Sequence, residues 1–428
     1  MLTPVPRAEE SSRNLRRERR LWHDEERHTP SIGCTNCPDR AVCGGLQLAG
    51  SLYDCLDFCC QTPADCDAVC RYKPDEFARR VREVDGFSFD NVPRSPVLAA
   101  PILPPLVPVL YHGCKRKLPF QAPAVCLPLY SVIERTNGET RYASATELAS
   151  GFGITTSVPV MLTGTASDPP LERWWALGSK RLERIRALRD LGVLLVTTPN
   201  YSLFVDQPRW DDLHSLKRIA IVHEEFLREG LPAALHINAR TDRDWNRWRD
   251  YIAARAEVTH VAFEFATGAG RAPRTAWHLE KLVGLAATVG RPLHLIMRGG
   301  SKLLPVLTRA FADITLLDTS VFMKTASRQR AFLSAPGVVS WRSSRTKKTE
   351  TVDSLLTENW QVVAAAFAGP LTQRLLPLRP AARSKPRNRP HLMLPAAWGP
   401  CLNSSPSWPA AGCLPLRATG WWKTAQLR

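Results

Sequence analysis

Between residues 106 and 345, short apolar runs rich in β-branched residues alternate with stretches of helical period, and this constrains the fold more than any other feature. The runs are Val107 to Tyr111, Val158 to Leu162, Val193 to Thr197, Ala234 to Asn238, Val258 to Phe265, Leu293 to Met297, Ile314 to Leu317 and Val338 to Trp341. Most are apolar on both faces, as strands of a parallel sheet covered by helices must be. The stretches between them carry one apolar face each. "WDDLHSLKRIAIVHEEFLREG" aligns Leu213, Leu216, Ile219, Ala220, His223 and Leu227 and stops at Gly230. "DRDWNRWRDYIAARA" does so with Trp245, Trp248 and Ile252, and "WHLEKLVGLAATVG" with Leu279, Leu282, Val283, Ala286 and Val289. Eight strand and helix units in this span are the size of a (β/α)8 barrel. An open doubly wound sheet would need fewer strands and often a glycine fingerprint after the first one, which is missing. The expectation is an α/β protein with a (β/α)8-barrel-like body, preceded by a small Cys-rich metal-binding segment and followed by a disordered tail.

The flanks divide as follows. Residues 1–30 read as a charged arm, 31–74 as the cysteine segment, 75–105 as a connector, 106–345 as the barrel, 346–368 as a short helical segment and 369–428 as a Pro/Arg-rich tail. The formal charge is +17, but the chain from Asn359 onward holds nine Lys or Arg and no acidic residue. Residues 1 to 358 carry 48 basic against 40 acidic side chains, so the body is only mildly basic and the excess sits largely in the tail. That tail also holds ten of the 35 prolines and no period, a composition that does not repay the entropy of ordering. It reads either as a genuine disordered arm or as an out-of-frame extension. The N-terminal "RRERRLWHDEER" is charged where a signal peptide is apolar. The longest uncharged run, "SPVLAAPILPPLVPVLYHG", is broken by five prolines and cannot form a membrane helix. A cytoplasmic location and no membrane partner are expected.

Eight of the twelve cysteines, Cys34, Cys37, Cys43, Cys55, Cys59, Cys60, Cys66 and Cys70, fall within 37 residues. In a reducing compartment such density points to thiolate ligation of a metal rather than to disulfides. Eight ligands suit one or two sites of zinc or an iron-sulfur cluster. Iron in a brown, anaerobically purified protein would show clusters, and zinc in a colourless one a structural site; a folded protein with neither metal would remove the reading. Cys114, Cys126, Cys401 and Cys413 stand apart and read as packing or tail residues.

Working groups of a barrel gather where its strands end. Those positions give Asn200, Ser202 and Asp206 in "PNYSLFVDQPRW", Asn238 and Arg240 in "HINARTDRDW", Glu264 in "FEFATGAG", Arg298, Gly299 and Gly300 in "LIMRGGSK", and Asp318 in "LLDTSVFMK". Glu264 and Asp318 are the candidate acids or bases. Glu264 sits between phenylalanines, which favours its protonated form, unless it is simply paired with Arg240 or Arg298 across the mouth. Asn200, Asp206, Asn238, Arg240, Arg298, Gly299 and Gly300 are the candidate ligand contacts, the arginines and glycines suiting an anion. His236 and His294 alternate with apolar neighbours and read as satisfied core or helix-facing histidines.

The opening "CTNCPDRAVCGG" resembles the auxiliary iron-sulfur segments of radical S-adenosylmethionine enzymes. The reactive-cluster signature of those enzymes is absent: Thr62 stands where a third cysteine should follow Cys55 and Cys59, and Lys73 follows Cys66 and Cys70. Radical chemistry is therefore not expected. The stretch from Pro199 to Lys324, with "PNYSLF" and "VDQPR", resembles a family of bacterial and phage proteins known only as a domain of unknown function, and this resemblance implies a bacterial, cytoplasmic setting without an activity. Two functions follow as expectations. One is an enzyme acting on a phosphate-bearing ligand, nucleotide or nucleic acid, at the barrel mouth. The other is a non-catalytic, zinc-stabilised nucleic-acid-binding or interaction module that stacks bases on Trp245 and Trp248.

Overall fold

The computed structural model describes residues 28–30, 47–49, 74–112, 115–203, 209–270, 274–345, 347 and 349–372. The eight clustered cysteines, Cys114, Asp206 and the sequence beyond residue 372 lie outside the described residues. The expectations placed on them are neither met nor overturned. A short antiparallel pair, β1 (His28–Pro30) and β2 (Gln47–Ala49), precedes the body.

Eight parallel strands form the centre: β3 (Leu106–Pro108), β4 (Val125–Pro128), β5 (Val160–Thr163), β6 (Leu195–Thr197), β7 (Ala233–His236), β8 (His260–Glu264), β9 (His294–Arg298) and β10 (Asp313–Asp318). Their order is β3-β10-β9-β8-β7-β6-β5-β4, every neighbouring pair parallel. A single parallel bridge between Val109 and Cys126 joins the two ends of this order. Helices alternate with the strands, so the body is the (β/α)8-barrel-like α/β fold that the alternation predicts.

The period of two along each strand sorts the core into two compartments. Val107, Val109, Cys126, Met161, Leu195, Ala234, Ala262, Ile296 and Leu317 fill the inside of the barrel. Their neighbours Leu127, Leu162, Val196, Leu235, Val261, Leu295 and Leu316 belong to the layer beneath the helices. Cys126, read from the sequence as a packing residue, is free and buried, and burial pushes its thiol up to about 12.

Two strand assignments change. The eighth expected strand, Val338 to Trp341, is not in the barrel: it lies in β12 (Val338–Ser343), which pairs antiparallel with β11 (Gln329–Ala335) as a separate two-stranded sheet. The barrel's missing strand is β4. It escapes notice because "VCLP" is four residues long, ends on a proline and follows another at Pro123. The expected helical segment near 346–368 is the helix Asp353–Thr372.

The expected connector is more than a tether. It forms helix α1 (Pro74–Glu83) and then packs Val81, Val84, Phe87, Phe89 and Val92 into the core. It covers the outer side of the long helix Arg209–Arg228, whose polar residues Asp212, His214, Lys217 and Arg218 are consequently buried. Two of them find partners in the cover, while Arg218 donates to Glu172 Oε2 at 2.7 Å. His214 Nε2 meets Glu83 Oε2 at 3.0 Å, and Lys217 donates to Ser88 O and Asn91 Oδ1. Burial lowers the Lys217 ammonium to about 8.

Candidate functional site at the barrel mouth

The side chains that face inward at the last turn of each strand define the floor of the mouth. On β7 these alternate as Ala234 and His236, and on β8 as Ala262 and Glu264. The register sets His236 beside Ala262, and Glu264 beside Arg298 one layer higher. The 5 % exposed Glu264 accepts from Arg298 Nε at 2.5 Å through Oε2 and from the Ala266 amide at 2.8 Å through Oε1. Burial raises its pKa, and the Arg298 charge opposes the rise. Of the two accounts offered for Glu264, the ion pair is the one observed, with Arg298 as partner. Both carboxylate oxygens are thereby committed.

A cavity of about 270 Å³ opens over the ends of β5 to β8. It brings together Asn200, Asn238, Arg240 and Glu264 from the expected set, and adds Thr165, His236, Arg274 and His278. Asn238 is held by its Nδ2 donating to Tyr201 O at 2.9 Å, while its own carbonyl accepts from Trp248 Nε1 at 2.8 Å. Arg240 enters the same loop because Thr241 and Asp244 form a reciprocal capping box at the start of helix Asp242–Ala253, and Asp244 Oδ2 also accepts the Arg240 amide at 2.8 Å. Ser202 donates to Asp168 Oδ1 at 2.5 Å. Among the residues that line this cavity the charged ones are Arg240, Arg274 and Glu264, and Glu264 is already neutralised by Arg298.

His236 departs from its expectation. The residue is 3 % exposed, and neither ring nitrogen has a hydrogen-bond partner. Burial, reinforced by the charge of Arg298, lowers its pKa to about 3, so the ring is neutral at physiological pH. A buried imidazole with two unmet polar atoms is costly unless something else supplies the contacts. His278, 2 % exposed, lines the same cavity with an unpartnered Nδ1, and burial together with Arg274 and Arg240 lowers it to about 3. Asn200 adds an unpartnered buried Oδ1. His294 does match its expectation, its Nε2 lying 2.9 Å from Thr315 Oγ1 and its ring stacked on His260 at the other end of the barrel.

The remaining expected residues have structural tasks. Asp318 Oδ1 accepts from the Val321 amide at 2.8 Å and Oδ2 from Ser320 Oγ at 2.7 Å, so its carboxylate caps the helix Ser320–Ala326. It does not line the cavity. Gly299 and Gly300 have φ of 75° and 68°. A Cβ on Gly299 would meet the Ala266 amide nitrogen at 2.7 Å, and one on Gly300 the Phe265 ring at 2.9 Å. Their smallness serves the packing of two strand-end loops, and neither lines the cavity. Trp245 and Trp248 are 3 % and 0 % exposed. The stacking surface of the nucleic-acid-binding alternative is thus inside the core.

The fold and this mouth together define a (β/α)8-barrel-like protein with a polar cavity, lined by Arg240 and Arg274, at the carboxyl ends of its strands. No protein-family model matches the chain, and no curated protein matches it either. Among the described residues no helix is long and apolar enough to cross a membrane, and no group of three or more His, Cys, Asp or Glu could hold a metal ion.

Proposed function

We propose that the chain is an enzyme that binds a phosphate-bearing ligand, a nucleotide or the end of a nucleic acid, in the mouth cavity. The observation that carries this reading is His236: a buried neutral imidazole with two unmet nitrogens, lining a cavity that Arg240 and Arg274 also line. An oxyanion there would find Arg240 and Arg274 for charge and Asn200, Asn238 and His278 for hydrogen bonds. Its negative charge would raise the His236 pKa from about 3 toward neutrality, converting a poor base into a group able to exchange a proton with the ligand. Glu264 and Arg298 act through position: the pair fixes the loop at Ala266. In this reading Cys34 to Cys70 carry a zinc or iron-sulfur site, and the setting is the bacterial cytoplasm.

The test is calorimetric titration of inorganic phosphate into the full chain and into His236→Asn. The wild type should bind, and the variant should bind at least about tenfold more weakly, the change expected when one hydrogen-bonding group to a charged ligand is lost. Equal affinities would remove His236 from the site. A third variant, Arg274→Ala, should weaken binding too and make what remains less sensitive to salt.

A further inference from the structure

The hairpin of β11 and β12 stands outside the barrel, and its two edges are treated differently. Antiparallel strands alternate between residues whose backbone groups bond to the partner strand and residues whose backbone groups point away from it. In this pair the register sets Gln329 opposite Ser343, Ala331 opposite Trp341 and Leu333 opposite Val339. The backbone groups of Gln329 and Ala331 point away from β12, because the Asn359 side chain reaches both. Its Oδ1 accepts from the Ala331 amide at 2.7 Å, and its Nδ2 donates to Gln329 O at 2.8 Å. One side-chain amide thus stands in for a third strand and closes that edge. Asn359 is itself buried and also donates to Thr325 Oγ1 at 2.8 Å, which fixes it in place.

The opposite edge has no such cover. By the same register the amides and carbonyls of Val339, Trp341 and Ser343 point away from β11, and among the described residues none of them has a hydrogen-bond partner. Open edges are commonly blunted by a lysine, a proline or a bulge. The bulge of this hairpin lies on β11, between Leu333 and Ala335, and "VVSWRS" holds neither lysine nor proline. The strand is also held in place, since Val339 and Trp341 pack against the core from its inner face. An incoming chain would therefore meet an ordered template.

The charge around this edge has one sign. Arg342 and Arg345 are exposed, and neither has an ion-pair partner among the described residues. Arg342 lies over the Phe332 ring at 5.3 Å, on the face of the hairpin away from Trp341. The acids in this part of the chain are engaged elsewhere: Glu358 pairs with Arg330, and Asp353 accepts the amides of Lys117 and Leu118.

We infer that the outer edge of β12 is a docking site for an extended acidic segment of a partner protein, which adds as a third strand and sets acidic side chains beside Arg342 and Arg345. Backbone hydrogen bonds supply the affinity, and the arginines select the partner. A second copy of this chain fits less well. In an antiparallel self-pairing centred on Trp341, Arg345 would lie opposite Gly337 of the other copy, and the arginines would stay unanswered.

The test is a fluorescence-anisotropy titration of the full chain against a labelled peptide of alternating Val and Glu, and against its counterpart of alternating Val and Lys. The Glu peptide should bind, and the Lys peptide at least about tenfold more weakly. Arg342→Glu, an exposed change, should weaken the Glu peptide by about tenfold or more. Ser343→Pro removes one outward amide and spares the ladder to β11, and it should weaken the same peptide. Hydrogen exchange at the Val339 and Trp341 amides should slow when the Glu peptide is bound. No binding of the Glu peptide, equal affinity for the two peptides, or binding unchanged in both variants overturns the inference. A dimer of the full chain in sedimentation that Ser343→Pro breaks would put a second copy on the edge, and overturns the choice of an acidic partner.

Discussion

Replacing Arg298 with methionine should destabilise the protein by about 3–5 kcal/mol at neutral pH, the range for removing one partner of a buried ion pair. The guanidinium is 18 % exposed and the carboxylate 4 %, so Glu264 would be left charged in a site that already favours its protonated form. Glu264→Gln alone should cost less, because an amide can still accept from the Ala266 amide. The double variant should be more stable than Arg298→Met, since the unpaired charge is gone. The pH dependence fixes the cause. With its partner removed, the folded-state pKa of Glu264 rises further above its unfolded value, so the deficit should shrink as pH falls toward the raised pKa and grow above it. Denaturant titrations of the three variants at two pH values measure this. A change within about 0.5 kcal/mol for Arg298→Met, the range of an ordinary surface substitution, would mean that the pair is incidental.

Acid should unfold the protein well above the pH at which its carboxylates protonate. Five buried histidines carry lowered pKa values, about 3 for His236 and His278 and about 4 for His214, His223 and His260, each because burial disfavours the charged ring. A lowered folded pKa contributes stability that is complete above the unfolded value, near 6.5, and is lost as pH falls toward the folded one. At about pH 5 the unfolded chain has taken up these protons and the folded one has not, which costs about 2 kcal/mol per histidine at 1.36 kcal/mol per pH unit. Five such groups together approach the 5–15 kcal/mol total stability of a typical domain. Glu83, held down to about 2 chiefly by His214, adds to the loss only at lower pH. Burial raises Glu264 and Asp318, which therefore act in the opposite sense below their raised values. The melting temperature should thus drop steeply between about pH 6.5 and 5. A flat profile in that window would contradict the burial of these rings.

The barrel was legible in the sequence because strands buried on both faces read as unbroken apolar runs, and seven of the eight expected runs are barrel strands. The eighth carried a warning: "VVSWRS" mixes polar and apolar residues and is half-exposed in its hairpin, unlike any barrel strand. The true strand, "VCLP", had no length or period by which to be found. At the mouth, counting residues from strand ends located Asn200, Asn238, Arg240 and Glu264. It could not tell which polar groups already had partners. Asp318 looked catalytic, although the Ser320 hydroxyl and the Val321 amide two and three residues on are what a helix cap requires. His236 was assigned to the core, yet the two-residue period that puts Asn238 at the mouth puts His236 on the same face. Its lack of partners is a property of packing, and no local pattern encodes it. Arg274, the first residue of the helix Arg274–Val289, joins the cavity only through packing around the ring of strands.

The central claim, that His236 meets an anion at the mouth, is tested most directly by the protons that accompany binding. Sulfate does not titrate near neutral pH, so any proton taken up when it binds belongs to the protein. Calorimetric titration of sulfate into the full chain at about pH 6.5, repeated in buffers of different ionisation enthalpy, should show proton uptake by the wild type and none by His236→Asn. Sulfate binding without proton uptake, or uptake unchanged in His236→Asn, would contradict the account.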